Sequence, residues 1–239
     1  MTHRIKQRRR GKGTNVFRTH GFRYLGDACF RIFDEKERTD VVRGKVVDIL
    51  HDPGRTAPLM KIKYEDKKEV LLPAPNGIKT GDVVESGINA SIKVGNVLPL
   101  LKIPEGTQVS NIELRPGDGG KIVRASGGYA TVITREADKV IVQLPSKELK
   151  AFNPNCRAMI GAIAGAGRTE KPFIKAGKKW YEMKSRGKYW PVVRGVAMSA
   201  YAHPYGGKGS RTKKNKTVSR RKPPGAKVGS IAAKRTGKK

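Results

Sequence analysis

The sequence predicts a mainly β protein: two small barrels in tandem, with a long basic extension at each end. Three observations carry this. Short β-branched runs alternate with turn residues from Asp40 to Phe152, no helical stripe of useful length precedes residue 150, and the acidic residues are confined to the middle of the chain.

The first group of strands reads as Val41-Val42, Val46 to Leu50, Leu59 to Tyr64, Val70 to Leu72 and Val83-Val84. Its breaks carry turn chemistry in Asp52-Pro53-Gly54, Pro73 to Gly77 and Thr80-Gly81-Asp82, where Gly and Asn accept positive φ and Pro presets it. The second group runs through Val109 to Leu114, Lys121 to Val123, Tyr129 to Thr134, Val140 to Leu144 and Glu148 to Phe152. Two groups of about five short strands suit two small closed sheets better than one sandwich, because closure hides the strand edges. Helices are expected over Cys156 to Ala164 and Gly177 to Met183. The organisation that follows is a basic extension over 1–35, a first barrel over 36–90, a second barrel with short helices over 91–198, and a second extension over 199–239.

The 239 residues include 51 Lys and Arg against 20 Asp and Glu, a formal net charge of +31. Eight of the cations lie in residues 1–26 and thirteen in residues 199–239, and neither stretch holds an acid. The span between them is close to an ordinary domain in its balance. Polycationic ends with little apolar surface cannot offset their own ordering entropy, so the implied partner is a polyanion. The two cysteines, Cys29 and Cys156, and the four histidines have no metal-ligand spacing, so neither a metal site nor a disulfide framework is expected. No apolar run reaches the roughly 18 to 20 residues of a membrane span, and the Arg-rich start lacks the apolar core of a secretory signal; a reducing, aqueous compartment is expected.

Gly161 to Gly167 lacks dinucleotide-binding spacing, and Gly206-Gly207-Lys208-Gly209 lacks the Ser or Thr and the preceding strand of a phosphate loop. His203 has no Ser, Cys or carboxylate near it in sequence to complete a nucleophile and base. No catalytic residue and no cofactor are therefore expected. Aromatics interleaved with cations, in Lys178-Lys179-Trp180-Tyr181 and Arg186 to Pro191, allow two readings: a stacking platform for unstacked bases, or a cover for a barrel's open end. No recognition-helix pair, heptad-linked basic region or finger spacing is present, which favours folded RNA over duplex DNA.

The order of motifs resembles that of the universal large-subunit ribosomal protein family L-two, in its archaeal-like form, over nearly the full length. The matching segments are Leu72 to Asp82, Gly95 to Leu100 with Ile103 to Thr107, Pro116 to Gly120, Asn155 to Gly161, Arg194 to Met198, and His203-Pro204 before Gly206-Gly207. The resemblance implies an OB-like first barrel, an SH3-like second barrel, and termini that thread into large-subunit ribosomal RNA in the cytoplasmic ribosome. It also implies roles in subunit assembly, subunit association, transfer-RNA binding and peptide-bond formation, with the chemistry left to RNA. Neighbouring ribosomal proteins and the small subunit are expected contacts; a membrane and a homo-oligomer are not.

Expected RNA-binding residues in the amino-terminal extension are Arg4, Lys6, Arg8, Arg9, Arg10 and Lys12. In the barrels the resemblance points to Arg55, Lys68 and Arg124, to which Arg157 and Arg168 are added. The segment that follows contributes Lys179, Trp180, Arg186 and Arg194. The carboxy-terminal set is His203, Gly206, Gly207 and Lys208, then Arg211, Lys213, Lys214, Arg220 and Arg221. The chain departs from the family pattern beside His203: Ala202 replaces the usual acid, Tyr205 stands where His or Phe is common, and Ser199-Ala200 replaces Asn-Pro. Without an acid to orient the ring, positioning or stacking suits His203 better than proton transfer.

Overall fold

The computed structural model describes residues 15–18, 21–203, 205–208, 217–223 and 227–233. The chain divides into two compact units, Gly21–Ile174, and Met1–His20 with Lys175–Lys239.

Gly21–Ile174 is built from one short α-helix, three 3-10 turns and ten strands. Helix α1 (Glu35–Thr39) starts at Asp34, whose carboxylate accepts the Glu37 amide at 3.2 Å as an N-cap. The strands are β1 (Val41–Leu50), β2 (Leu59–Tyr64), β3 (Glu69–Pro73), β4 (Val83–Gly87) and β5 (Val97–Pro99), then β6 (Gln108–Ser110), β7 (Ala130–Arg135), β8 (Val140–Gln143), β9 (Leu149–Phe152) and β10 (Arg157–Ile160). They form one hydrogen-bonded array in the order β3-β2-β1-β4-β5-β10-β6-β7-β8-β9. All neighbours are antiparallel except β4 and β5.

The array encloses two apolar cores, as expected of an OB-like barrel followed by an SH3-like one. Val42, Val46, Met60, Ile62, Tyr64, Leu72 and Val84 pack in the first; Leu100, Ile103, Val109, Ile112, Val132, Val140, Val142 and Phe152 pack in the second. Strands β5 and β10 belong to both. Val97 and its register partner Met159 enter the first core, whereas Leu98 and its partner Ala158 enter the second. Because successive side chains of a strand point to opposite faces, these two strands are buried on both sides. The helix expected over Cys156 to Ala164 is thus corrected to a strand. A short apolar run buried on both faces has no period by which strand and helix can be told apart.

Two other expectations shift. Val41-Val42 and Val46 to Leu50 merge into β1, with a register shift between Val46 and Asp48 where it pairs with β2. Val109 to Leu114 ends early as β6 because Asn111 adopts φ 48°, and Lys121 to Val123 contributes only an isolated bridge from Ile122 to Ile112.

In the other unit, α2 (Ala176–Ser185) contains the expected Gly177 to Met183 and has no fully buried residue. A two-residue parallel pair, β11 (Thr217–Val218) with β12 (Ser230–Ile231), lies further along.

Candidate nucleic-acid interface

The most deeply buried cation described in the barrels is Arg157. Arg157 on β10 is 2% exposed, donates Nε and Nη2 to Glu113 Oε1 at 3.2 and 2.8 Å, and donates Nη1 to Glu37 Oε2 at 2.7 Å. Its guanidinium lies 5.3 and 4.9 Å from the ring centroids of Phe30 and Phe33. Glu113 also accepts the amides of Gly117 and Gly119 at 3.2 and 3.0 Å, which fixes the turn after β6. Glu37, on α1, accepts the Ser86 hydroxyl at 2.9 Å and Arg31 Nη1 at 3.3 Å. Burial works against the Arg31 charge, but the hydrogen bonds it donates to Asp34, Asp66 and Glu37 outweigh it and hold the guanidinium above its ordinary pKa. Arg157 is therefore corrected from an RNA contact to the counter-ion of two buried carboxylates. Sequence reasoning missed Glu37, Glu113 and Arg31; the one signal available was an acid inside the apolar run Ile112-Glu113-Leu114.

Arg55, Arg124 and Arg168 sit instead around one set of loops. Arg55 pairs with buried Asp52, donates Nη2 to Gly26 O at 2.9 Å and covers the Tyr24 ring at 5.2 Å. Arg124 donates to Gly120 O at 3.2 Å and to Ala28 O. Burial, followed by the like charge of Arg55, lowers the pKa of Arg124. Arg168 is exposed and donates Nε to Ser126 Oγ at 2.7 Å, while the Ser126 amide donates to Thr56 Oγ1 at 3.2 Å. Hydrogen bonds through Thr56 and Ser126 thus link the loops of Arg55 and Arg168, Arg124 feels the charge of Arg55, and Asp52 is the carboxylate partner of Arg55. Lys68 is exposed elsewhere on the same unit, 3.7 Å from Asp66.

In the second unit, α2 presents Trp180 and Lys184 one turn apart, with Lys184 Nζ 4.8 Å from the Trp180 ring centroid. Lys179 Nζ lies 5.8 Å from the Trp190 ring, and Arg186 is held by Glu182. Trp180 and Trp190 line a single cleft. Arg194, Lys208, Arg220 and Arg221 are exposed.

His203 and Gly206 are buried, so they shape the turn rather than present a surface. His203 is 7% exposed, and its Nδ1 accepts the Tyr205 amide at 3.0 Å. Burial lowers its pKa, so the ring is neutral and carries its hydrogen on Nε2. A Cβ on Gly195 would stand 2.4 Å from that ring, and one on Gly206 would stand 2.1 Å from Ser199 O. Gly207 follows at φ 93°, and the Tyr205 hydroxyl donates to Val228 O at 2.9 Å. Arg4, Lys6, Arg8, Arg9, Arg10, Lys12, Arg211, Lys213 and Lys214 lie outside the described residues.

The site contains no activated nucleophile among the described residues. Burial, with Glu113 nearby, pushes the Cys156 thiol up to about 11, so it stays protonated at neutral pH. A mainly β body that spends its buried carboxylates internally and shows its cations on loops defines a polyanion-binding protein. The particular family follows from comparison with known proteins. Residues 1–86 match the RNA binding N-terminal domain of ribosomal proteins L2, and residues 93–224 match the C-terminal domain of the same family. The chain is 53% identical to the large ribosomal subunit protein uL2 of Methanothermobacter thermautotrophicus over 100% of both chains. It is 53% identical to that of Methanocaldococcus jannaschii and 54% identical to that of Archaeoglobus fulgidus, over 99% of each chain in both cases. The chain belongs to the ribosomal protein L2 family. It is a structural, RNA-binding protein of the large ribosomal subunit, not an enzyme.

Proposed function

We propose that the protein binds large-subunit ribosomal RNA through the loops that carry Arg55, Arg124 and Arg168, through exposed Lys68 and Arg194, and through its two basic ends. The two barrels within Gly21–Ile174 set register on the RNA, and the acid-free stretches 1–26 and 199–239 reach into it. The observation that carries this reading is the segregation of charge: every acid lies between Asp27 and Glu182, while the ends are acid-free. In RNA crevices where phosphates crowd, such ends displace counter-ions, and affinity falls as salt rises. His203, Gly206 and Gly207 contribute by holding the shape of their turn.

Through these contacts the protein supports assembly of the large subunit, its association with the small subunit, transfer-RNA binding and peptide-bond formation by RNA. It works as a single copy among neighbouring ribosomal proteins. A chain lacking residues 209–239 is expected to enter large subunits poorly and to show a shallower salt dependence of RNA binding. Incorporation equal to that of the intact chain, in subunits purified through high salt, rejects the proposal. Equal displacement from RNA by duplex DNA at physiological salt would instead indicate general polyanion binding.

A further inference from the structure

The unit formed by Met1–His20 and Lys175–Lys239 holds a cleft of about 330 Å³. Three aromatics, Trp180, Tyr189 and Trp190, and three cations, Arg18, Lys184 and Lys188, line it. Asn15 adds a neutral amide that can both donate and accept. Among the described residues no carboxylate lines it. Like charges gathered without an acid repel one another until an anion arrives. Phosphate alone would make no use of the indole surfaces, and an apolar ligand none of the cations. Its size is at the low end of the roughly 300–1,000 Å³ of ligand clefts, too small for a folded partner. Trp180 remains 39% exposed and keeps area for a ligand to cover.

We propose that this cleft receives one unstacked base of the RNA, stacked on the indole surface of Trp180 and Trp190. Arg18, Lys184 and Lys188 hold the phosphates that flank it. The proposal rests on the ribosomal-RNA reading above and goes beyond it by assigning a base-binding site rather than a phosphate contact. Lys184 over the Trp180 ring adds a cation–π contact on the platform that carries the base. Every base has a π-face, so selection among bases is weak, with purines favoured by their larger stacking area.

The two tryptophans of the chain both line this cleft, so indole emission reports on this site alone. The intact chain is titrated with single-stranded oligoadenylate and with an abasic ribose-phosphate oligomer of equal length, binding being read by anisotropy of the labelled oligomer. Both are expected to bind by charge, but only oligoadenylate quenches the emission. Trp180→Ala is expected to weaken oligoadenylate binding about tenfold, Trp180→Phe less than about twofold, and neither should change binding of the abasic oligomer. Should Trp180→Ala fail to fold, the quenching contrast in the unaltered chain decides alone. Oligoadenylate that binds without quenching, equal quenching by both oligomers, or unchanged affinity in a folded Trp180→Ala variant overturns the base site and leaves RNA binding standing. If neither oligomer binds the unaltered chain, the ribosomal-RNA reading fails and the base site with it.

Discussion

The two units of this protein satisfy their charges in opposite ways. In Gly21–Ile174, the buried Arg157 and Arg31 are neutralised by Glu37, Glu113, Asp34 and Asp66 of the same unit, which also holds two apolar cores. In Lys175–Lys239 the last acid is Glu182, and α2 buries none of its residues fully. The first unit supplies its own counter-charge and its own core. In the second, Glu182 pairs with Arg186 and no acid follows it, so on the proposed function most of its counter-charge, and with it part of its order, comes from RNA. Stability and RNA affinity should therefore respond to different residues.

The most damaging test of that contrast is Arg157→Ala. It leaves Glu37 and Glu113 buried without their shared counter-ion, and a loss of about 3–5 kcal/mol in unfolding free energy is expected from denaturant titration. RNA affinity of the fraction that remains folded should be unchanged; a variant as stable as the parent would break the comparison. Met159→Ala follows at about 2–5 kcal/mol, because it opens a cavity on a strand shared by both cores. One cooperative transition shifted by that amount would show that the cores unfold together.

A smaller effect concerns His203. Burial lowers its folded pKa below 6.5, so the unfolded chain binds the proton more tightly. Its contribution to stability is fully present above about pH 6.5 and is lost as pH falls through the folded value. Hydrogen exchange of the Tyr205 amide, corrected for intrinsic rates, should accelerate relative to neighbouring amides on acidification. His203→Asn should abolish that pH dependence. The smallest effect belongs to a surface pair: Lys61→Ala removes the 2.8 Å contact with Glu69 and should leave the denaturant midpoint almost unchanged. A larger loss would mean that surface charge contributes to the barrels more than the buried network implies.

Much of the fold was legible where one face of an element is wet. Leu59 to Tyr64 and Val140 to Leu144 are bounded by turn residues and became β2 and β8; Gly177 to Met183 fell inside α2. Legibility failed at Cys156 to Ala164, where a strand touches apolar groups on both sides and its sequence carries no alternation. In the candidate site, Arg55, Arg124 and Arg168 could be named individually, but not their convergence, because Thr56 and Ser126 link loops 70 residues apart. Arg157 was misplaced for a related reason: residue type reveals a charge but not its depth.

By itself the sequence determined the β-rich class, the strand-length runs and their turns, and the concentration of positive charge at the ends, all of which depend on neighbours along the chain. Tertiary structure alone decided that β5 and β10 join two cores and that Arg157 faces inward. The physical reason is distance along the chain: its carboxylate partners lie 44 and 120 positions away, and only packing brings such groups within reach of a hydrogen bond.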